Sequence, residues 1–196
     1  MIKLSFVLDK PCLLIVGAGG HGRSVADSVL LSDDYHLVGF IDDGAFLRGE
    51  NVWDFPVIGP AAGFADYKEI ASHVIVAIGS NSLRQRLSFE LTEAGFVLPS
   101  LIHPRATVSS RAVLGAGTVV MAGAVVGTEA SLGLGVIVNS GAVVDHHAQV
   151  HDFAHLGVNA SMAGGSVLGA CSWLQAGTAI GYGVKVARDT VLSVGD

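Results

Sequence analysis

From residue 102 onward an aliphatic side chain or a methionine returns every sixth residue without a slip. The series runs from Ile102, Val108 and Leu114 through Val144, Val150 and Leu156 to Val186 and Leu192. Four residues after each of these, from Ala106 to Thr190, only Ala, Ser, Thr or Val occurs. A helix repeats near 3.6 residues and a simple strand at two, so neither yields a period of six. A chain that turns a corner every six residues does, tucking one aliphatic side chain inward and packing a small residue beside it. Three such sides close a coil of three times six residues, and the run supplies about five stacked coils. The glycine pairs 115/117, 133/135 and 181/183 fall at turn positions, where positive φ costs glycine little.

The first 100 residues carry a different pattern. CLLIV (12–16), HLVGFID (36–42) and HVIVAIG (73–79) read as short, buried strands. Between them Ser24–Leu31 reads as a helix with an apolar stripe at Val25, Val29 and Leu30. A second helix is predicted from Asn81 to Gly95, opened by an Asn-Ser cap and closed by the glycine. Strands alternating with helices predict a small Rossmann-like parallel α/β sheet. The expected division is therefore an α/β domain over 1–100 and an all-β parallel β-helix over 101–196.

Only 14% of the residues are charged and the net charge is -6, with no Lys/Arg stripe that could neutralise phosphates. A nucleic-acid partner is not expected. The stretch from Leu114 to Val144 is apolar, but it is rich in small residues and strictly periodic, unlike the bulky continuous run of a membrane span. Cys12 and Cys171 sit in apolar runs and read as small buried hydrophobes of a reducing compartment. The opening MIKLSFVLDK lacks the apolar core and cleavage site of a secretory signal, which points to the cytoplasm.

Candidate chemistry lies in two places. Gly17-Ala18-Gly19-Gly20-His21-Gly22 fits G-x-G-x-x-G between a strand and a helix, where backbone N–H groups favour an anionic phosphate. Asp42 and Asp43 follow the second strand about 20 residues on, where a ribose-binding acid sits in dinucleotide folds. The alternative is a plain glycine turn. With the strand, the helix and the acid all in place, a nucleotide cradle is the better reading. The second place is VVDHHAQVHDFAHLG, which holds His146, His147, His151 and His155. The hexad frame puts His146 and His147 at an exposed corner and His151 and His155 on the next side. An imidazole there can take a proton near pH 7. Three readings stay open: a general base at His146, zinc ligands, or filling of a subunit interface. Zinc-binding β-helix carbonic anhydrases take a further histidine from two coils earlier, and here those positions are Ser110 and Gly115.

With both halves read, the chain resembles the bacterial sugar acetyltransferases that join a nucleotide-binding α/β domain to a left-handed β-helix. These include UDP-4-amino-sugar N-acetyltransferases and sialic acid O-acetyltransferases. The likeness rests on GAGGHG (17–22), FIDD (40–43), VAIGSN (76–81) with Arg84, LIHP (101–104), and NSGAVVDHH (139–147) followed by His155. The left hand of the β-helix is what this resemblance implies. It also implies an acetyl-CoA-dependent N-acetyltransferase of glycan or surface-polysaccharide synthesis, with a sialic-acid-type O-acetyltransferase as the alternative. A zinc carbonic anhydrase and a non-catalytic binding protein are the readings from other classes. No metal is expected.

Position by position, the resemblance makes His146 the catalytic base, with His147 beside it. His155, Gly164 and Ala176 match acetyl-CoA-contacting positions. Gly19, Gly20, His21, Asp42, Asp43, Gly79 and Asn139 match the nucleotide-sugar side. It further implies a homotrimer with active sites between neighbouring β-helices. Two departures stand out. The family usually carries Glu or Asp directly after the catalytic histidine, where this chain has His147, leaving Asp145 or Asp152 to supply the charge. The sequence also ends at Asp196, before the last coils and the Gly-Val-Pro-Ala-Lys type tail that members place near the CoA adenine.

Overall fold

The computed structural model describes residues 10–44 and 49–195. The N-terminal segment read above for a signal lies, from residue 1 to 9, outside the described residues. In the α/β part β1 (Cys12–Val16) is central, pairing in parallel with β2 (His36–Ile41) on one side and with β5 (His73–Val76) on the other. The strands expected from sequence are therefore present. The sheet also contains two that were not expected, β3 (Asn51–Val52) and β4 (Phe55–Gly59), giving the order β3-β4-β2-β1-β5. Because β3 runs antiparallel to β4, the sheet is mixed at this edge rather than wholly parallel.

Among the described residues two α-helices flank the sheet. The first, α1 (Gly20–Ser32), starts four residues earlier than its apolar stripe suggested, directly from the glycine loop. The second, α2 (Asn81–Glu93), is capped by Ser80, whose hydroxyl accepts from the Leu83 N–H, and not by the Asn-Ser pair. Alternation along β1 assigns the faces. Leu13 and Ile15 pack with Val25 and Val29 of α1, while Leu14 and Val16 pack with Leu87 and Leu91 of α2.

The remaining chain makes two-residue strands from β6 (Leu101–Ile102) to β21 (Val191–Leu192), each paired in parallel with the strand one coil away. They form three sheets, the three sides of a parallel β-helix. The first side carries pairs such as Val125–Val126 and Val143–Val144; the second carries Ser131–Leu132 and Gln149–Val150; the third carries Ile137–Val138 and His155–Leu156. In each pair the second residue, the hexad aliphatic, points inward and the first points outward. Val120, Val138, Leu156, Leu168 and Leu174 are fully buried, stacked with Ala130, Ala142, Ala148 and Ala160. Ile102 departs from the rule: at the end of the stack it is 43% exposed, and its neighbour Leu101 is buried instead.

The outward column of the third side explains how the halves join. Leu101, Val119 and Ile137 are buried outward residues that belong to the same core cluster as Ile15, Val25 and Val29. The α/β part is thus seated on this side of the prism, with α1 against it. At the corners, Gly117, Gly135 and Gly183 adopt positive φ as expected. Gly115 and Gly133 do not. Their role is close approach, since a Cβ on Gly115 would sit 2.5 Å from the Gly133 carbonyl one coil away. Among the described residues no helix is long and apolar enough to cross a membrane.

Candidate functional site

The glycine loop is built by tight packing of β1 onto α1. A Cβ on Gly22 would meet the Gly17 carbonyl at 1.8 Å, so only glycine lets the helix start this close to the strand. Gly19 is the N-cap of α1 and offers no side-chain cap, leaving the first N–H groups of the helix available to an anion. Asp42 holds the loop from the neighbouring strand: Ala18 N–H donates to its Oδ2 at 2.7 Å and Gly44 N–H to its Oδ1 at 2.7 Å. Asp43 receives the Ala61 N–H on Oδ1 at 2.8 Å.

A cleft of about 390 Å³ opens above this loop, and it gathers Gly19, Gly20, His21, Asp42, Asp43 and Gly79. A Cβ on Gly19, Gly20 or Gly79 would meet no atom within 4 Å, so these three border open space. Gly79 also lines a second cleft of about 440 Å³ with Asn81, His155 and Trp173. The two clefts therefore meet at Gly79 and lead from the phosphate-type loop onto the third side of the prism.

His155 departs from the sequence expectation. It stands not on the side that follows the His146 corner but one side further, in the outward column of the third side, 7% exposed under the α/β part. Its ring stacks on Trp173, one coil further, with centroids 5.4 Å apart and planes 11° apart. It lies 6.4 Å from the His21 ring. Neither ring nitrogen of His155, nor Nε2 of His21, has a hydrogen-bond partner among the described residues.

Burial, and then the positive charge of Arg84, push His21 down to about 4. Burial, followed by the positive charge of Arg84 and by His21, pushes His155 down to about 3. Both rings are consequently neutral at pH 7. Their folded pKa values lie below the unfolded value of about 6.5, so below that pH the unfolded chain binds protons that the folded chain refuses. Their contribution to stability is complete above about pH 6.5 and is lost as pH falls toward 4 and then 3. Melting temperature is expected to drop steadily from pH 6.5 to 4.5, and His155→Leu should flatten that slope. An equal slope in the variant would refute the assignment.

His146 and His147 occupy the corner between the first and second sides. His147, with φ 59°, is exposed, whereas His146 is half-buried with 43% of its side chain accessible. One coil further the same corner carries Gly164, and a Cβ there would lie 2.5 Å from His146 Cε1 and 2.8 Å from the Tyr182 ring. The missing side chain gives the imidazole its place, facing Tyr182 at 5.9 Å. Nδ1 of His146 is 3.0 Å from Nδ1 of His147, and Nε2 of His147 is 2.9 Å from Glu129 Oε2. Glu129 was not singled out from sequence, although it stands one coil before His147.

Of the two acids considered earlier, Asp145 is at hand. Its Oδ1 accepts the His146 backbone N–H at 2.7 Å, and its Oδ2 lies 3.8 Å from Nε2. Asp152 is not, being bound to the Leu134 N–H at the following corner. Asn139 and Ala176 share the remaining corner, between the third and first sides, and Asn139 accepts from the Ser140 N–H. His151 is exposed near the second side. Cys12 and Cys171 are free thiols and only half-buried, less enclosed than their apolar context suggested. Among the described residues no three His, Cys, Asp or Glu side chains converge as a metal set.

Residues 12–91 match the PglD N-terminal domain family. Over 111 residues the chain is 34% identical to UDP-N-acetylbacillosamine N-acetyltransferase of Bacillus subtilis (strain 168), covering 55% of this chain and 50% of that one. The chain thus spans about half the length of this curated relative. Solved structures match over far more. A histidine mutant of perosamine N-acetyltransferase from Caulobacter crescentus, in complex with CoA and GDP-perosamine, is 33% identical with a TM-score of 0.89, covering 93% of this chain and 86% of that one. The acetyltransferase domain of PglB from Neisseria gonorrhoeae FA1090 is 35% identical with a TM-score of 0.87, covering 95% and 90%. The same domain in complex with acetyl coenzyme A gives a TM-score of 0.75. These are left-handed β-helix proteins, and the hand carries over with the fold. With the nucleotide-type cleft, the uninterrupted hexads and this likeness across nearly its whole length, the chain belongs to the hexapeptide-repeat sugar acetyltransferase family.

Proposed function

We propose that the protein is an acetyl-CoA-dependent N-acetyltransferase acting on a nucleotide-linked amino sugar in glycan synthesis. The observation that carries this reading is the groove joined at Gly79. It can hold a nucleoside diphosphate over Gly19, Gly20 and His21 and lead the attached sugar toward His155 and Trp173. Relatives acting on UDP- and GDP-linked amino sugars support it.

The two histidines take different parts. Held near 3, His155 is a poor proton acceptor at pH 7, but its neutral ring can donate an N–H to the thioester oxygen. His146, half-exposed at its corner, is the general base. The sugar amine attacks the thioester carbonyl, forming the C–N bond, and His146 Nε2 takes one proton from that nitrogen. As the oxyanion collapses the C–S bond breaks, and the thiolate leaves with the proton as CoA thiol.

His146 stands at the corner opposite the third side, which carries His155, so one chain cannot offer both to the same thioester. A second copy must bring its His146 corner to the first copy's groove, which favours the homotrimer. Gly164 under His146 and Ala176 at the next edge then line the acetyl-CoA arm, with Asn139 on the substrate side. As an enzyme of acetyl-CoA and a nucleotide sugar, it is assigned to the cytoplasm.

Purified protein incubated with acetyl-CoA and a UDP-linked 4-amino sugar should release CoA thiol and give the N-acetylated sugar, while elution corresponds to three times 20.1 kDa. Acetylation of free sialic acid with no reaction on UDP- or GDP-linked amino sugars would replace this reading by O-acetylation.

A further inference from the structure

We infer that Glu129 and His147 form a positioning relay that fixes the tautomer of His146 and supplies it with negative charge from one coil away. This rests on His146 as the base, but the tautomers can be tested without any reaction.

The argument starts from protons. A carboxylate only accepts, so the 2.9 Å contact requires His147 Nε2 to carry hydrogen. A neutral His147 then has a bare Nδ1. That nitrogen is 3.0 Å from His146 Nδ1, a separation that needs one hydrogen between the two. The hydrogen must be on His146, and its Nε2 is left bare, on the side of Gly164 and Tyr182. Glu129 thus selects, through two imidazoles, the tautomer a base requires. When Nε2 gains a proton, the positive charge is hydrogen-bonded through His147 to the carboxylate.

Glu129 and His147 occupy the same corner position in successive coils, both left-handed at φ 60° and 59°. The next two residues of that column, Gly165 and Gly183, have φ 65° and 66°. Glycine adopts this conformation freely, whereas a side chain there is strained. An exposed ion pair at this corner adds little to stability, typically ~0–1 kcal/mol. The fold could use glycine at all four positions, yet it holds an acid and an imidazole in contact.

The other groups facing the pair are Asp145, whose Oδ2 lies 3.8 Å from His146 Nε2, and the Tyr182 ring. Asp145 is the rival source of charge. Its backbone hydrogen bond sets the corner but leaves Nδ1 to His147.

Long-range proton–nitrogen spectra of the imidazoles should show the Nδ1–H form of His146 and the Nε2–H form of His147 at pH 8. In Glu129→Gly, which suits the left-handed backbone, the His146 signals should move to a tautomer mixture. Glu129→Gln removes the charge alone. It should lower kcat with the UDP-linked amino sugar about tenfold, leave KM for acetyl-CoA within about twofold, and move the acid limb of the kcat profile to lower pH. His147→Glu puts a carboxylate directly beside His146, so in that background Glu129→Gln should cost nothing further.

Unchanged tautomers in Glu129→Gly would overturn the relay. So would an equal cost of Glu129→Gln in both backgrounds, or a tautomer shift produced by Asp145→Asn instead. If His146→Ala retained full activity, the base assignment would fall by itself, and the spectra would still decide whether the relay exists.

Discussion

Replacing His146 by alanine is expected to lower kcat by about 10²–10⁴, the usual cost of losing a general base. The loss should appear in kcat and kcat/KM together, because proton removal is demanded only as the amine attacks. Several features make the effect clean. The side chain is half-exposed at a corner and packs over a glycine, so its removal opens no cavity in the core. The hexad core inside that corner, Val144 and Val150, is untouched. His147 does not substitute, since Nδ1 faces His146 and Nε2 is held by Glu129. His155 does not either, being buried, held near 3 and on the opposite side of the prism. Steady-state release of CoA thiol, with a melting curve as control for folding, measures the outcome. An unchanged kcat would remove His146 from the role of base.

How far these features could be read in advance depends on how local the controlling physics is. The hexads were legible because a β-helix is local in sequence: each side sets its own inward residue, and only coils 18 residues apart pair. The glycine loop was legible for the same reason, and Gly19, Gly20 and His21 meet Asp42, Asp43 and Gly79 in one cleft. The β3–β4 hairpin was not, because β3 has two residues and β4 contains Pro56, which speaks against a strand except at an edge.

His155 was placed on the wrong side because its surroundings come from the α/β part. A signal existed, however. The outward column of the third side reads Leu101, Val119, Ile137, whereas that of the second reads Val113, Ser131, Gln149 and ends in Lys185. A column of large apolar outward residues marks a covered side. Glu129 could likewise have been found by stepping one coil back from His147. The role of Arg84 could not, because all its acceptors but Asn81 Oδ1 are backbone carbonyls, which any residue provides.

That role leads to the second large effect. Arg84 is 1% exposed, and among the described residues no carboxylate bonds to it. Its Nε donates to Gly135 O at 2.8 Å and its Nη2 to Phe153 O at 2.7 Å, both on the β-helix. Nη1 donates to Ile78 O at 2.9 Å, and Nη2 also to Asn81 Oδ1 at 2.8 Å, both on the α/β side. One planar group therefore bolts the two halves together beside the groove, still charged at pH 7 because burial lowers it only to about 10.

Arg84→Met fills a similar volume but leaves these acceptors without donors. At about 1–3 kcal/mol for each buried orphan, partly relieved by entering water, the loss should be about 3–5 kcal/mol. For a chain of this size that lowers the melting temperature by about 10 °C or more. Arg84→Lys should recover only part, since an ammonium cannot reach both halves at once. Electrostatics adds a signature that a packing defect lacks. Arg84 helps hold His21 and His155 low, so without it both bind protons more readily in the folded state, and the acid penalty shrinks. The destabilisation by Arg84→Met should therefore be smaller at pH 5 than at pH 8. A melting temperature within two degrees or so of the parent, or a loss that grows toward acid, would show that the guanidinium does not join the two halves.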